Sequence, residues 1–390
     1  MPDKKTIKFI WIWDYQPVQS YLDYIEQNHM SISEVIIDQM QELVFYDFYD
    51  IGRGQQSPGG SRSSGAGRIV ELCKRLDLPL SILTSTSTFN PTLVNFDHPV
   101  IDYPCWWIAQ TLSKMRECVP NFNSDKIGTT TDLLDNSIGT GHDIHHLYIS
   151  FNGRGRSHRC TFIDTLAKHD LIELGVVSWL DISEDFKCVD KDGTDLPPET
   201  LHSVEQGYNY KYWTPKKLII DQQDFSSLVN IKSLPNQYFH SFMQAVTETS
   251  CEEFFITEKT AAPLLFNKPF IVLGCKHFHK NLQTLGFELY DEVFDYSFDE
   301  EDDVAVRCEL IAQNLNKLKN KTMLELEEIT KTIAPKLAKN RKLALHYALT
   351  LPDELQEVVS RLATDPTGKR TLVAVTAHYI KKYKQKLQQQ

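Results

Sequence analysis

The sequence predicts an α/β protein of two Rossmann-like domains followed by a helical extension. Three observations carry that reading. Short apolar runs alternate with helical periodicity over residues 1–120 and again over 145–295, the rhythm of strand–helix units on a parallel sheet. A polar stretch with several Gly and the run Thr129-Thr130-Thr131, at 121–143, separates the two series. From Asp302 onward only helical patterning remains. The boundaries that follow are 1–144 for an N-terminal α/β domain on the acceptor side, 145–300 for a second α/β domain and 301–390 for the extension.

Each element has its own signal. Ile7–Trp13 reads as a strand because Phe9-Ile10-Trp11-Ile12-Trp13 is a continuous apolar run, as burial on both faces requires. Val18–Asn28 reads as a helix, Leu43–Phe48 as a strand, and Gly67–Leu76 as a helix with Ile69, Val70, Leu72, Cys73 and Leu76 on one face. Strands follow at Leu80–Thr84 and Val100–Tyr103, then a helix over Trp106–Arg116. The second series opens with a strand over His145–Asn152 and a helix through Phe162, Ile163 and Leu166. Val176–Trp179 and Leu218–Ile220 read as strands, Tyr238–Val246 as a helix, Glu253–Ile256 as a strand, Leu264 as the middle of a short helix and Phe270–Leu273 as a buried strand. A helix over His279–Leu285 closes on Gly286, and Phe287–Tyr290 is a last strand. The extension divides into helices over Val304–Leu318, Met323–Ala338, Arg341–Thr350, Pro352–Ala363 and Leu372–Lys386. Apolar positions such as Leu310, Ile311, Leu315 and Leu318 must be buried, which predicts that part of the extension packs on residues 1–120.

Composition narrows the function classes. At 390 residues the chain is long enough for two domains with real cores, and 41% hydrophobic content is ordinary for a globular protein. A net charge of −11 argues against general nucleic-acid binding, which needs an excess of Lys and Arg. No run approaches the roughly 18 apolar residues of a membrane span, and the N-terminal apolar run is too short for a secretion signal. The eight cysteines are dispersed without a Cys-x-x-Cys pair, the usage of a reducing compartment, so a cytoplasmic location is expected.

Two segments carry chemistry. Phe254-Phe255-Ile256-Thr257-Glu258-Lys259-Thr260 reads as a polar turn at a helix start, followed by the strand Pro269-Phe270-Ile271-Val272-Leu273-Gly274. Glu258 is suited to accept hydrogen bonds from ribose or sugar hydroxyls and Lys259 to neutralise phosphate, with helix N–H donors facing the same anion. The bland alternative for Glu258 and Lys259 is an inert exposed ion pair at a helix start. The second segment runs from the strand His145–Asn152 through Gly153-Arg154-Gly155-Arg156-Ser157-His158-Arg159 into a helix. A strand, a Gly/Arg loop and a helix is how an open α/β sheet presents phosphate-binding groups. The bland alternative is a set of surface arginines.

Together these segments resemble the donor-binding half of α1,3-fucosyltransferases, whose pattern has Ile-Thr-Glu-Lys before a helix and Ser-Asn at a strand end before an Arg-bearing helix. Ser150, Asn152 and Arg159 stand in that order here. The resemblance covers residues 145–295 and extends loosely to exostosin-like enzymes and to sugar-transferase-like proteins of large DNA phages. It implies a GT-B glycosyltransferase with Asn152, Arg154, Arg156, Arg159, Thr257, Glu258 and Lys259 around a GDP- or UDP-linked sugar. Transfer then inverts the anomeric centre without a metal or other cofactor, onto a glycan, protein or other hydroxyl acceptor. Inversion needs a general base from the first domain, for which Asp14, Asp47 and Asp50 at strand ends are candidates. The alternative is a non-catalytic viral or phage structural or host-interaction protein on the same scaffold.

Other motifs divide between functional and structural readings. The Gly-rich stretch Gly52–Gly67 lacks the Gly-Lys-Ser/Thr end of a P-loop and reads as a surface loop or an acceptor contact. His142, His145 and His146 lack a second ligand cluster, which argues against zinc. His277 and His279 follow the donor strand and are candidates to line the site. Tyr208, Tyr210, Tyr212 and Trp213 stack on a ligand or pack internally.

Overall fold

The computed structural model describes residues 6–11, 18–39, 65–85, 100–118, 144–152, 156–179, 211–213, 234–362 and 380. Two parallel four-stranded sheets organise them. In the first, β1 (Thr6–Trp11), β2 (Ile32–Gln39), β3 (Leu80–Thr84) and β4 (Val100–Asp102) lie side by side in chain order. Helices α1 (Val18–Asn28) and α2 (Gly65–Arg75) present apolar stripes to it: Leu22, Ile25, Ile69, Val70 and Cys73 pack with Val35, Ile37, Leu80 and Ile82. Helix α3 (Trp106–Cys118) follows β4.

The second sheet holds β5 (His146–Asn152), β6 (Gly175–Trp179), β7 (Ser241–Thr247) and β8 (Phe270–Leu273) in the order β6-β5-β7-β8, all parallel. Its helices are α4 (Ser157–Lys168), the short α5 (Asn236–Phe239), α6 (Glu258–Leu265) and α7 (Phe278–Thr284). Register β6 against β5 requires Gly175, because a Cβ there would lie 2.4 Å from the ring of Tyr148. The strand order reverses between β5 and β7. Right-handed crossovers leaving that point in opposite directions put α4 and α6 on opposite faces of the sheet.

Three further helices complete the description: α8 (Val304–Leu318), α9 (Met323–Leu349) and α10 (Asp353–Leu362). Helix α8 packs on α4 and β8, held by Glu309 against Lys168 and His169, while α9 packs on α6 and β7. The chain divides into two compact units, mainly Met1–Trp106 with Thr350–Lys382 and Trp107–Cys188 with Leu196–Leu349. Helix α10 therefore belongs with the first sheet: Leu351, Leu355 and Val358 are buried, and Tyr103 Oη donates to Thr350 O at 3.5 Å. Among the described residues no helix is long and apolar enough to cross a membrane.

Several expected elements differ. Tyr238–Val246 does not form one helix: Ser241–Thr247 is the inner strand β7, buried throughout, and its polar residues Ser241, Gln244 and Thr247 imitate a helix by recurring every third position. Glu253–Ile256 is a loop whose aromatics serve as anchors. Phe287–Tyr290 is not a strand, because Asn340 takes up its backbone, accepting from Glu288 N–H at 2.7 Å and donating to Glu288 O at 2.8 Å. That same Asn340 interrupts the apolar pattern of the extension, yet α9 runs unbroken through it. Strand β2 was not expected. The segments 43–48, 218–220 and most of 372–386 lie outside the described residues.

At the N-terminal edge of the second sheet, Lys268 is buried, donates to Ser241 O and lies 4.8 Å from the Tyr238 ring centroid. Burial pulls its ammonium down to about 7. Between that value and the unfolded value of about 10.5 the unfolded chain binds the extra proton, so stability rises with pH across this window. Lys268→Met is expected to remove that rise, on the order of a few kcal/mol, in urea unfolding compared at pH 7 and pH 10. An identical pH dependence in both proteins would show that Lys268 is hydrated in the folded state.

Candidate functional site

The carboxyl ends of β5, β6 and β7 are tied together by Asn152, the last residue of β5. Its backbone N–H donates to Ser178 Oγ (3.0 Å), its Nδ2 to Ser150 Oγ (3.2 Å), and its Oδ1 accepts from Thr247 Oγ1 (2.7 Å). This is the place where the strand order reverses, and open parallel sheets bind ligands at such a point.

The first turn of α4 reaches the end of β7. Arg156 Nη1 donates to Thr249 O at 2.9 Å, and Arg159 Nη2 to Glu248 O at 3.1 Å and Thr247 O at 3.4 Å. His158 Nε2 lies 2.9 Å from Glu248 O; a carbonyl only accepts, so Nε2 carries the proton. Burial, then the neighbouring Arg159, drives His158 down to about 3, so it is neutral at physiological pH. Burial, then Arg156, lowers Arg159 to about 10 against the opposing pull of Glu248 and Glu258, so it stays charged.

From the other face comes α6, held by the fully buried Glu248. Its Oε1 accepts from Thr257 N–H (3.1 Å) and Thr260 Oγ1 (2.5 Å). Its Oε2 accepts from Thr257 Oγ1 (2.6 Å) and Thr249 N–H (3.1 Å). Thr257 is the N-cap of α6, its Oγ1 accepting from Lys259 N–H at 3.3 Å. Lys259 Nζ reaches Glu258 Oε1 at 3.2 Å and Thr249 Oγ1 and Thr257 Oγ1, each at 3.3 Å. The expected exposed helix start is thus corrected: Glu258 and Lys259 are only 6% and 9% exposed. The α6 N–H groups expected to face a ligand are also partly used, those of Thr257 and Lys259 by Glu248 and the cap. The cause is the 248–257 loop, pinned by Phe254 on Phe278 (5.0 Å between centroids) and Phe255 on Trp107 (6.3 Å).

Asn152, Arg156, Arg159, Thr257, Glu258 and Lys259 therefore converge on one edge of the second sheet, from two helices on opposite faces. Arg154, Asp14, Asp47 and Asp50 lie outside the described residues. Glu248 and His158 escaped sequence reading, Glu248 because the strand before it reads as a helix. Glu253 escaped it too: burial, with Glu252 adding to it, pushes its carboxyl up to about 7, and its buried Oε2 has no hydrogen-bond partner among the described residues. His279 does not line the site. Its Nδ1 donates to Asp299 Oδ1 (2.9 Å) and its Nε2 accepts from Val272 N–H (3.2 Å), inside the core. Trp213 packs on Trp179 (5.2 Å), held by Asp164 accepting the N–H groups of Lys211, Tyr212 and Trp213. His145 stacks on His240 at the opposite edge of the sheet. Among the described residues no group of His, Cys, Asp and Glu is placed to hold a metal ion.

Comparison with protein-family models, curated proteins and solved structures found no match to this chain.

Glu248→Ala strands donors on both sides of the loop and is expected to cost at least ~3 kcal/mol in urea unfolding. Thr260→Val, which removes one donor, is expected to cost about 1 kcal/mol. Equal costs for the two would show that the carboxylate does not organise this edge.

Proposed function

We propose that the chain is a glycosyltransferase of GT-B type, moving a sugar from a nucleotide-diphosphate donor to an acceptor hydroxyl. One observation carries this: Asn152, Arg159, Glu258 and Lys259, selected by their order in the sequence, meet at the switch point of a parallel sheet. In this reading Glu258 accepts sugar or ribose hydroxyls, and Lys259 turns from its neighbours to the diphosphate. The acceptor oxygen attacks the anomeric carbon, the bond to the diphosphate breaks, and the diphosphate leaves with the electron pair. Arg159 and Lys259 stabilise that developing charge in surroundings of low dielectric. The acceptor proton passes to a carboxylate. Asp14, Asp47 and Asp50 are the candidates from the sequence.

GDP or UDP is expected to raise the melting temperature, since a ligand at about a hundred times its Kd adds about 2.7 kcal/mol. Lys259→Met is expected to weaken nucleotide binding at least ~10-fold by calorimetry. Because that change also leaves Glu258 without its partner, melting of the unliganded variant is measured alongside. Unaltered affinity would remove Lys259 from the donor site. Nucleotide binding without sugar release from any GDP- or UDP-sugar would instead favour a non-catalytic protein on this fold.

A further inference from the structure

A guanidinium that the donor motif does not include lies beside it. Arg307, in the first turn of α8, is 3% exposed. It donates through Nη1 to Gly274 O, and its buried Nε has no acceptor among the described residues. A buried guanidinium held by a carbonyl is only half compensated, and an apolar side chain would pin α8 to the sheet at lower cost.

Its position is defined by the strand register. Thr247 of β7 pairs with Leu273 of β8, and Glu248 N–H donates to Leu273 O at 2.9 Å. The next residues on the two strands are Glu248, whose carbonyl holds Arg159, and Gly274, whose carbonyl holds Arg307. The two anchors are thus about one strand spacing apart, ~5 Å. The helices that carry these arginines, α4 and α8, pack on each other. Cys251 is near both: burial pushes its thiol up to about 11 against the pull of Arg307 and Arg159. Arg156, Arg159 and Arg307 therefore fan across the ends of β7 and β8.

We propose that Arg307 is a further phosphate-binding residue, engaging one phosphate of a diphosphate whose other phosphate lies at Arg159 and Lys259. The inference rests on the donor-site reading above and makes α8, from the helical extension, part of that site. Guanidinium groups anchored on carbonyls one strand spacing apart suit the linked phosphates of a single ligand.

The test compares wild type, Arg307→Met and Arg307→Lys for binding of GDP, UDP and inorganic pyrophosphate by calorimetry, with urea unfolding of each protein. The Met variant is expected to bind at least ~10-fold more weakly, with the Lys variant between, because it keeps the charge and loses the fork. Met-variant affinity equal to wild type overturns the proposal, even if stability falls, since Arg307 is then only a structural peg. Should the Met variant fail to fold, the Lys variant decides in the same way. If wild type binds pyrophosphate but neither nucleotide, the donor reading fails while Arg307 is still tested. If it binds none of the three, both fail.

Discussion

The buried carboxylate of Glu248 is the interaction on which the carboxyl edge of the second sheet depends. Its side chain faces α6, where it caps Thr257 and holds Thr260. Its carbonyl faces α4, where it receives His158 and Arg159. One residue thereby joins helices on opposite faces of the sheet. It also fixes the loop that brings Glu258 and Lys259 inside. Both carboxylate oxygens are occupied by donors, so the group is stable in its buried place because four partners replace water.

The two edges of that sheet differ in kind. At the carboxyl edge, Arg156, Arg159, Lys259 and Arg307 gather with Glu248 and Glu258, and the neutral His158 adds no charge. Helix N-termini there contribute further positive potential. The amino edge carries Lys268 and the stacked pair His145 and His240, with Lys268 shifted toward its neutral form.

Much of this was legible in the sequence, for identifiable reasons. Leu80–Thr84, Phe270–Leu273 and Val304–Leu318 were readable to the residue because clear breakers or caps bound them. Asn152, Arg159 and the Thr-Glu-Lys turn were readable because their chemistry is local. What was not legible depends on tertiary partners. Ser241–Thr247 has the composition of either element and becomes a strand by lying between β5 and β8. Asn340 looks like a helix breaker until the backbone of Glu288 is seen against it. Glu248 and Arg307 are charged residues of types that ordinarily stay exposed, and only the fold buries them.

The return of α10 to the first sheet has a consequence for biosynthesis. Residues up to Trp106 emerge from the ribosome about 240 residues before Thr350. At about 5–20 residues per second, that interval is on the order of ten seconds or more. Throughout it the nascent first sheet lacks Leu351, Leu355 and Val358, and the whole second sheet is synthesised in between. The first unit is therefore completed last, although its sheet is made before the second.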